Sequence, residues 1–179
     1  MEFIAVFLTL LCVILTIRSN VLCWPVSILS TTAYMYVFAQ QHIYFQVVLQ
    51  VIFIIQSIYG WIYWRANKEI RISKTTWSNA AIHLTIILLL TVILSVSLRG
   101  KTDNPQLTLD ILTSLLSLLG TWYLAKRNVF AWLIWVIADM FFVIMFMNQQ
   151  MYWSVALYLI LLGLAIKGLI QWTKNMTTV

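Results

Sequence analysis

The chain is a succession of apolar stretches, each about as long as a bilayer is thick, and nothing else in it restricts the possible folds so strongly. They run from Phe3 to Ile17, Val21 to Gln40, Ile43 to Trp64, Asn79 to Leu98, Leu107 to Ala125, Val129 to Met147 and Met151 to Trp172. A membrane-crossing helix needs roughly 17–25 mainly apolar residues, so these segments predict seven spans. Of the 179 residues 63% are hydrophobic and only 9% charged, too few for water to solvate the surface of a soluble domain, so the chain reads as an integral membrane protein. The connections are too short to hold a soluble domain. Polar and apolar residues do not alternate through consecutive segments, as the strands of a barrel require. Phe3 to Ile17 is read as a retained span, because Glu2 stands where a signal peptide is basic and no small-residue cleavage site follows.

Seven spans put the two ends on opposite sides and allow the cations to be sorted. Arg18, Arg65, Lys68, Arg71, Lys74, Lys126, Arg127, Lys167 and Lys174 fall on one face, and only Arg99 and Lys101 on the other. The excess of Lys and Arg on cytoplasmic faces predicts an outside N-terminus and a cytoplasmic C-terminus. The net charge of +6 is mostly this asymmetry. The expected partner is therefore the lipid bilayer, with no nucleic acid. Cys12 and Cys23 have neither metal-binding nor redox spacing, and no disulfide is expected between them. The histidines are His42 in a loop and His83 in the fourth segment, with no Gly-x-Ser-x-Gly or metal spacing nearby. Catalysis is not expected, and no cofactor is called for.

A shift of 108 residues lays the chain on itself. Asn20-Val21-Leu22-Cys23-Trp24 aligns with Asn128-Val129-Phe130-Ala131-Trp132, and the register continues through Phe38/Phe146, Gln41/Gln149, Tyr44/Tyr152, Leu49/Leu157, Gly60/Gly168, Trp64/Trp172 and Asn67/Asn175. Aliphatic matches are cheap in so apolar a chain; coincident Trp, Gly, Asn and Gln are not. The duplication predicts helices 1–3 equivalent to helices 5–7, with helix 4 as linker. The expected units are 1–67, a loop and linker over 68–106, and 107–179. One linker span gives both triplets the same orientation, a parallel repeat with a pathway at its interface near the midplane.

Asp139 stands alone in the middle of an apolar run. An aspartate at a helix centre in a bilayer costs roughly 2.5–3.5 kcal/mol on insertion scales, so by default it marks a functional site. Trp132, Trp135 and Asp139 follow i, i+3, i+7 spacing and share one helical face. Two indoles beside a carboxylate suit a flat organic cation, through stacking, cation–π attraction and counter-charge. The structural alternative pairs Asp139 with a basic side chain, or leaves it protonated against a helix, with the tryptophans as filling. In the first half Trp24, Ser27 and Thr31 occupy the equivalent positions, so selectivity is expected in the second half. Gln46, Gln50, Phe53, Ser57 and Trp61 form a stripe on helix 3 that carries two amides inward; for Gln50, pathway lining and interhelical hydrogen bonding both fit. The candidate binding residues are Trp24, Thr31, Gln50, Ser57, Trp132, Trp135 and Asp139.

Elsewhere the bland readings lead. Pro25 is an accepted first-turn proline. Gly60 and Gly168 permit close helix packing. Asp110 favours the positive end of its helix dipole. Tyr63, Trp64, Trp77 and Trp172 are expected as interfacial anchors.

Leu49-Gln50 with Phe53 and Tyr59-Gly60-Trp61-Ile62-Tyr63-Trp64, and Trp132-Leu133-Ile134-Trp135-Val136-Ile137-Ala138-Asp139, resemble the PnuC family of bacterial vitamin transporters. Trp24-Pro25 and Asp110 also resemble that family, and the resemblance spans both triplets. It implies an all-α fold of two parallel three-helix bundles joined by a linker helix (3+1+3), similar to the sugar-carrying SWEET proteins, often a trimer in the bacterial inner membrane. It also implies facilitated diffusion of an unphosphorylated vitamin, trapped afterwards by a cytoplasmic kinase. Members that carry nicotinamide riboside typically end the helix-6 motif in Asn; Asp139 here tilts the expectation toward thiamine. A SWEET-like sugar carrier is the more remote alternative, and a channel is disfavoured by large indoles beside a single acid.

Overall fold

The structure, a computed structural model, describes residues 2–40, 44–67, 71–101 and 105–177. Lys68, Gln41 and His42, used above for charge, repeat and chemistry, lie outside the described residues. The described residues form seven helices: α1 (Glu2–Ile17), α2 (Cys23–Gln40), α3 (Tyr44–Ala66), α4 (Trp77–Leu98), α5 (Leu107–Ala125), α6 (Phe130–Asn148) and α7 (Tyr152–Thr177). The apolar segments thus became helices nearly in place, with α7 running beyond Trp172. Five of them, α3 to α7, are long and apolar enough to cross a membrane, so this is a multi-pass membrane protein. α1 is apolar but shorter, and α2 carries Ser27, Ser30, Thr31 and Thr32 through its middle. α4 is apolar on every side and exposes Ile82, Ile86, Leu89, Val92 and Ile93, a surface suited to lipid.

Hydrogen bonding explains where α1, α5 and α6 stop. After α1, the Asn20 amide donates to the Leu15 carbonyl at 2.9 Å and the Ser19 amide to Thr16 at 2.9 Å. After α5 the same pair recurs 108 residues on, Asn128 to Tyr123 and Arg127 to Leu124, both at 2.9 Å. These are Schellman caps, in which one residue turns left-handed so that the last orphan carbonyls are satisfied. The turning residues, Ser19 (φ 52°) and Arg127 (φ 51°), are not glycines and so carry some strain. Asn20 and Asn128 then accept from the Leu22 and Phe130 amides at 2.9 and 3.0 Å, starting the next helix through an Asx turn. Gln150 (φ 57°) ends α6 the same way.

α2 packs on α1 and α3, and α6 packs on α5 and α7. Two further seams, α3 on α5 and α1 on α7, close the bundle, while α4 lies against α5. At one end the seams are tied by indole N–H groups. Trp64 donates to the Ala125 carbonyl at 3.0 Å, and Trp172 donates to the Ile17 carbonyl at 3.1 Å. Trp64 is 1% exposed and Trp172 fully buried, so neither is the interfacial anchor expected from its position near a span end. The physical reason is the partner: each meets a helix C-terminus whose carbonyls need donors, in a dry seam where an indole can supply one. Trp77, at 67% exposure, does sit at the surface, with Lys74 5.5 Å from its ring centre.

The glycines are also specific. A Cβ on Gly60 would lie 2.5 Å from the Trp24 ring, and one on Gly168 would lie 2.6 Å from the Trp132 ring. Each glycine seats an indole rather than a neighbouring backbone. Each of these indoles then meets the capping tryptophan edge-on, Trp24 on Trp64 at 5.4 Å and Trp132 on Trp172 at 5.5 Å, both at 88°.

Candidate functional site

A cavity of about 690 Å³ lies among α1, α2, α3, α5, α6 and α7, with no contribution from α4. That is a volume typical of sites for small molecules. Trp132, Trp135 and Asp139 all reach it from α6, as their spacing predicts, and Trp24 and Thr31 reach it from α2 and Gln50 from α3. The stripe on α3 holds only in part. Gln46, Gln50 and Phe53 line the cavity, but Ser57 is fully buried behind it, its hydroxyl 3.0 Å from that of Ser27. Trp61 is 37% exposed and does not line the cavity. Fifteen residues at 100° each overshoot four turns by about 60°, enough to carry it out of the stripe.

Asp139 is only 2% exposed, and its Oδ1 has no hydrogen-bond partner. No ion pair joins Asp139 to any described lysine or arginine, which removes the basic-partner alternative among the described residues. Three indole nitrogens that can only donate, those of Trp24, Trp132 and Trp135, are likewise buried without an acceptor. Trp135 lies against Gly120 of α5, where a Cβ would stand 2.9 Å from its indole nitrogen. Buried polar atoms are nearly always satisfied, and these four belong to side chains that line one cavity, where a ligand can supply missing bonds. Thr9 and Ser30, in contrast, are already engaged, their hydroxyls 2.8 Å apart with Ser30 also donating to the Ala5 carbonyl at 3.0 Å.

Sequence reading missed the aromatic walls. Tyr34 stacks with Phe38 at 6.1 Å, and their repeat partners Phe142 and Phe146 stack at 6.2 Å; all four line the cavity. Tyr158 of α7, the repeat partner of Gln50, stacks on Phe142 at 4.5 Å and completes this wall. The 108-residue register held that signal, since it pairs two aromatic positions in α2 with two in α6. Asp110 does stand in the first turn of α5, as the helix-dipole reading requires, and it also lines the cavity. No described lysine, arginine or histidine does.

The wall therefore offers two carboxylates, ring faces, amides and hydroxyls, a set that can desolvate and hold a flat cation but gives a phosphate no counter-charge. Helices wrapped around such a site inside an apolar, multi-pass body are an arrangement suited to a membrane transporter. The chain belongs to the nicotinamide mononucleotide transporter family, whose match covers residues 1–174. This is a family of transporters, not of enzymes. Among solved structures, the fold is similar to one described as the crystal structure of the vitamin B3 transporter PnuC. The TM-score is 0.79 at 17% sequence identity, over 99% of this chain and 82% of that one. Comparison with curated proteins gives no match.

Proposed function

We propose that the protein takes up an unphosphorylated, cationic vitamin by facilitated diffusion, with thiamine as the favoured substrate and a cytoplasmic kinase trapping it afterwards. The observation that carries this reading is the cavity wall: two carboxylates, one of them with an unpartnered buried oxygen, among aromatic rings and without a described basic residue. A phosphorylated nucleotide would leave its phosphate unmatched there. Trp132 and Trp135 stack the rings, Asp139 faces the positive charge, and Gln50, Thr31 and Trp24 meet the polar edge from the other side. Ser57 acts through Ser27, which it holds in place. Nicotinamide riboside is also a cation and is the second candidate; Asp139 in place of the Asn typical of riboside carriers favours thiamine.

The carrier works as two three-helix bundles, 1–67 and 107–179, joined by the 68–106 linker, rocking about the site in a 3+1+3 arrangement. The paired caps, glycine seats and indole ties, each recurring at the 108-residue offset, support this reading. The N-terminus lies outside and the C-terminus in the cytoplasm of a bacterial inner membrane. The ties between Trp64 and Ala125 and between Trp172 and Ile17 gather the basic ends of α1, α3, α5 and α7 on one side, as that orientation requires. A trimer is the assembly that the family resemblance implies.

Calorimetric titration of purified protein with thiamine, nicotinamide riboside and nicotinamide mononucleotide, repeated on Asp139→Asn, tests the substrate. Thiamine binding lost in the variant supports the reading. Binding of the riboside alone keeps the cationic site but moves the substrate, and preferential binding of the mononucleotide overturns the charge argument.

A further inference from the structure

Three of the four helical glycines are explained by the indoles they seat, Gly60 by Trp24, Gly120 by Trp135 and Gly168 by Trp132. Gly163 is not. A Cβ there would meet nothing within 4 Å, although glycine in a helix interior costs about 1 kcal/mol relative to alanine. This glycine opens a groove of about 400 Å³ on the outer face of α7, lined by Ile166, Lys167, Ile170, Gln171, Lys174 and Asn175. Along the helix axis the glycine notch and Ile166 come first, Lys167 and Ile170 follow, and Gln171, Lys174 and Asn175 stand at the far end.

Lys167 is exposed, sits within the span and makes no hydrogen bond or ion pair with any described residue. It stands five residues before Trp172, whose indole marks the end of α1, and therefore about 7 Å deeper. A lysine at that depth can extend its ammonium toward the headgroup layer. No acidic side chain is among the described residues that line the groove. α7 contains no acidic residue, and the acid of α1 is Glu2, at the opposite end of that helix. On the α3–α5 seam the equivalent positions, Tyr59 and Lys126, touch through a hydrogen bond. On the α1–α7 seam these positions are Lys167 and Arg18, two cations.

We propose that this groove binds an anionic phospholipid from the leaflet at the basic end of the bundle. One acyl chain lies over Gly163, Ile166 and Ile170, and the phosphate meets Lys167 with Gln171, Lys174 and Asn175. Charge complementarity selects the occupant: an apolar groove alone would accept any lipid, while an unpaired intramembrane lysine favours a negative headgroup. The site is separate from the carrier cavity and independent of which vitamin that cavity takes.

The test is mass spectrometry of the intact protein released from micelles doped with phosphatidylglycerol or phosphatidylcholine. The wild type should retain phosphatidylglycerol in preference to phosphatidylcholine. Lys167→Gln should retain about fivefold less, as expected for one lysine at an anionic surface. Lys167→Arg should retain it, as should Lys74→Gln, which removes the same charge from a loop. Gly163→Leu should weaken retention with every charge in place. Equal retention by wild type and Lys167→Gln, or equal retention of the two lipids, overturns the proposal. So does a changed protomer count in these variants with unchanged lipid retention, which would make the groove an interface between copies.

Discussion

At the scale of single residues, the glycines allow a sharp contrast because they look alike in the sequence. Gly60→Ala and Gly168→Ala each force a methyl to within 2.5–2.6 Å of an indole already held against a second tryptophan. Overpacking of that kind costs roughly 1–3 kcal/mol. Gly163→Ala meets nothing and should gain up to about 1 kcal/mol of helix propensity. Thermal unfolding in one detergent should therefore rank Gly163→Ala at or above wild type and the other two well below; similar shifts for all three would refute the seating of Trp24 and Trp132. Asp139 poses a different question, since its substitution relieves a buried charge. Asp139→Asn should raise the melting temperature of the empty protein while weakening the cationic ligand about tenfold or more, the cost of losing one close charge contact. A parallel loss of stability and affinity would instead mean that the carboxylate holds the fold together.

At the scale of helices, the two seams share one tie but differ in everything added to it. On the α3–α5 seam the Lys126 ammonium donates to the Tyr59 hydroxyl and lies 4.7–5.1 Å from the ring centres of Tyr59, Tyr63 and Trp122. The Gln56 amide adds a bond to the Leu118 carbonyl at 3.2 Å, and the Arg127 guanidinium, whose pKa burial lowers from its ordinary value, covers Trp64 at 4.7 Å. The equivalents on the α1–α7 seam are Arg18, Lys167, Gln171 and Ile14, with Leu164 for Gln56, and they cannot rebuild that cage. Hydrogen exchange should accordingly be faster at the ends of α1 and α7 than at those of α3 and α5. Lys126→Gln should narrow the difference, and equal exchange in the wild type would show that Trp64 and Trp172 alone set the strength of both seams. These details mark the limit of what was legible beforehand. Helix positions followed from length and hydropathy, and the Trp132, Trp135, Asp139 face followed from helical period. The burial of Trp64 and Trp172 did not, because an indole near a span end has the same local sequence whether it meets headgroups or a neighbour's last carbonyls. Tyr158 was missed because a single aromatic residue in an apolar helix carries no sign of whether it faces lipid or cavity; for Phe142 the only sign was its register with Tyr34.

At the scale of the whole molecule, charge decides how the carrier responds to a membrane potential. Asp139 is fixed on α6, buried among the helices proposed to rock, and no nucleotide-binding loop is present in the sequence to supply energy. If the carboxylate stays with the protein while a permanently cationic vitamin crosses, each cycle moves one positive charge inward. One elementary charge is worth about 2.3 kcal/mol per 100 mV. Vesicles with an inside-negative potential of about 100 mV should therefore accumulate the vitamin about 50-fold, and vesicles without a potential should only equilibrate. Neither condition involves ATP or a sodium or proton gradient. Failure to equilibrate at zero potential would end the case for passive carriage. Equilibration without accumulation under the potential would show that a compensating positive charge leaves as the substrate enters, and the carrier would then be an exchanger rather than a uniporter.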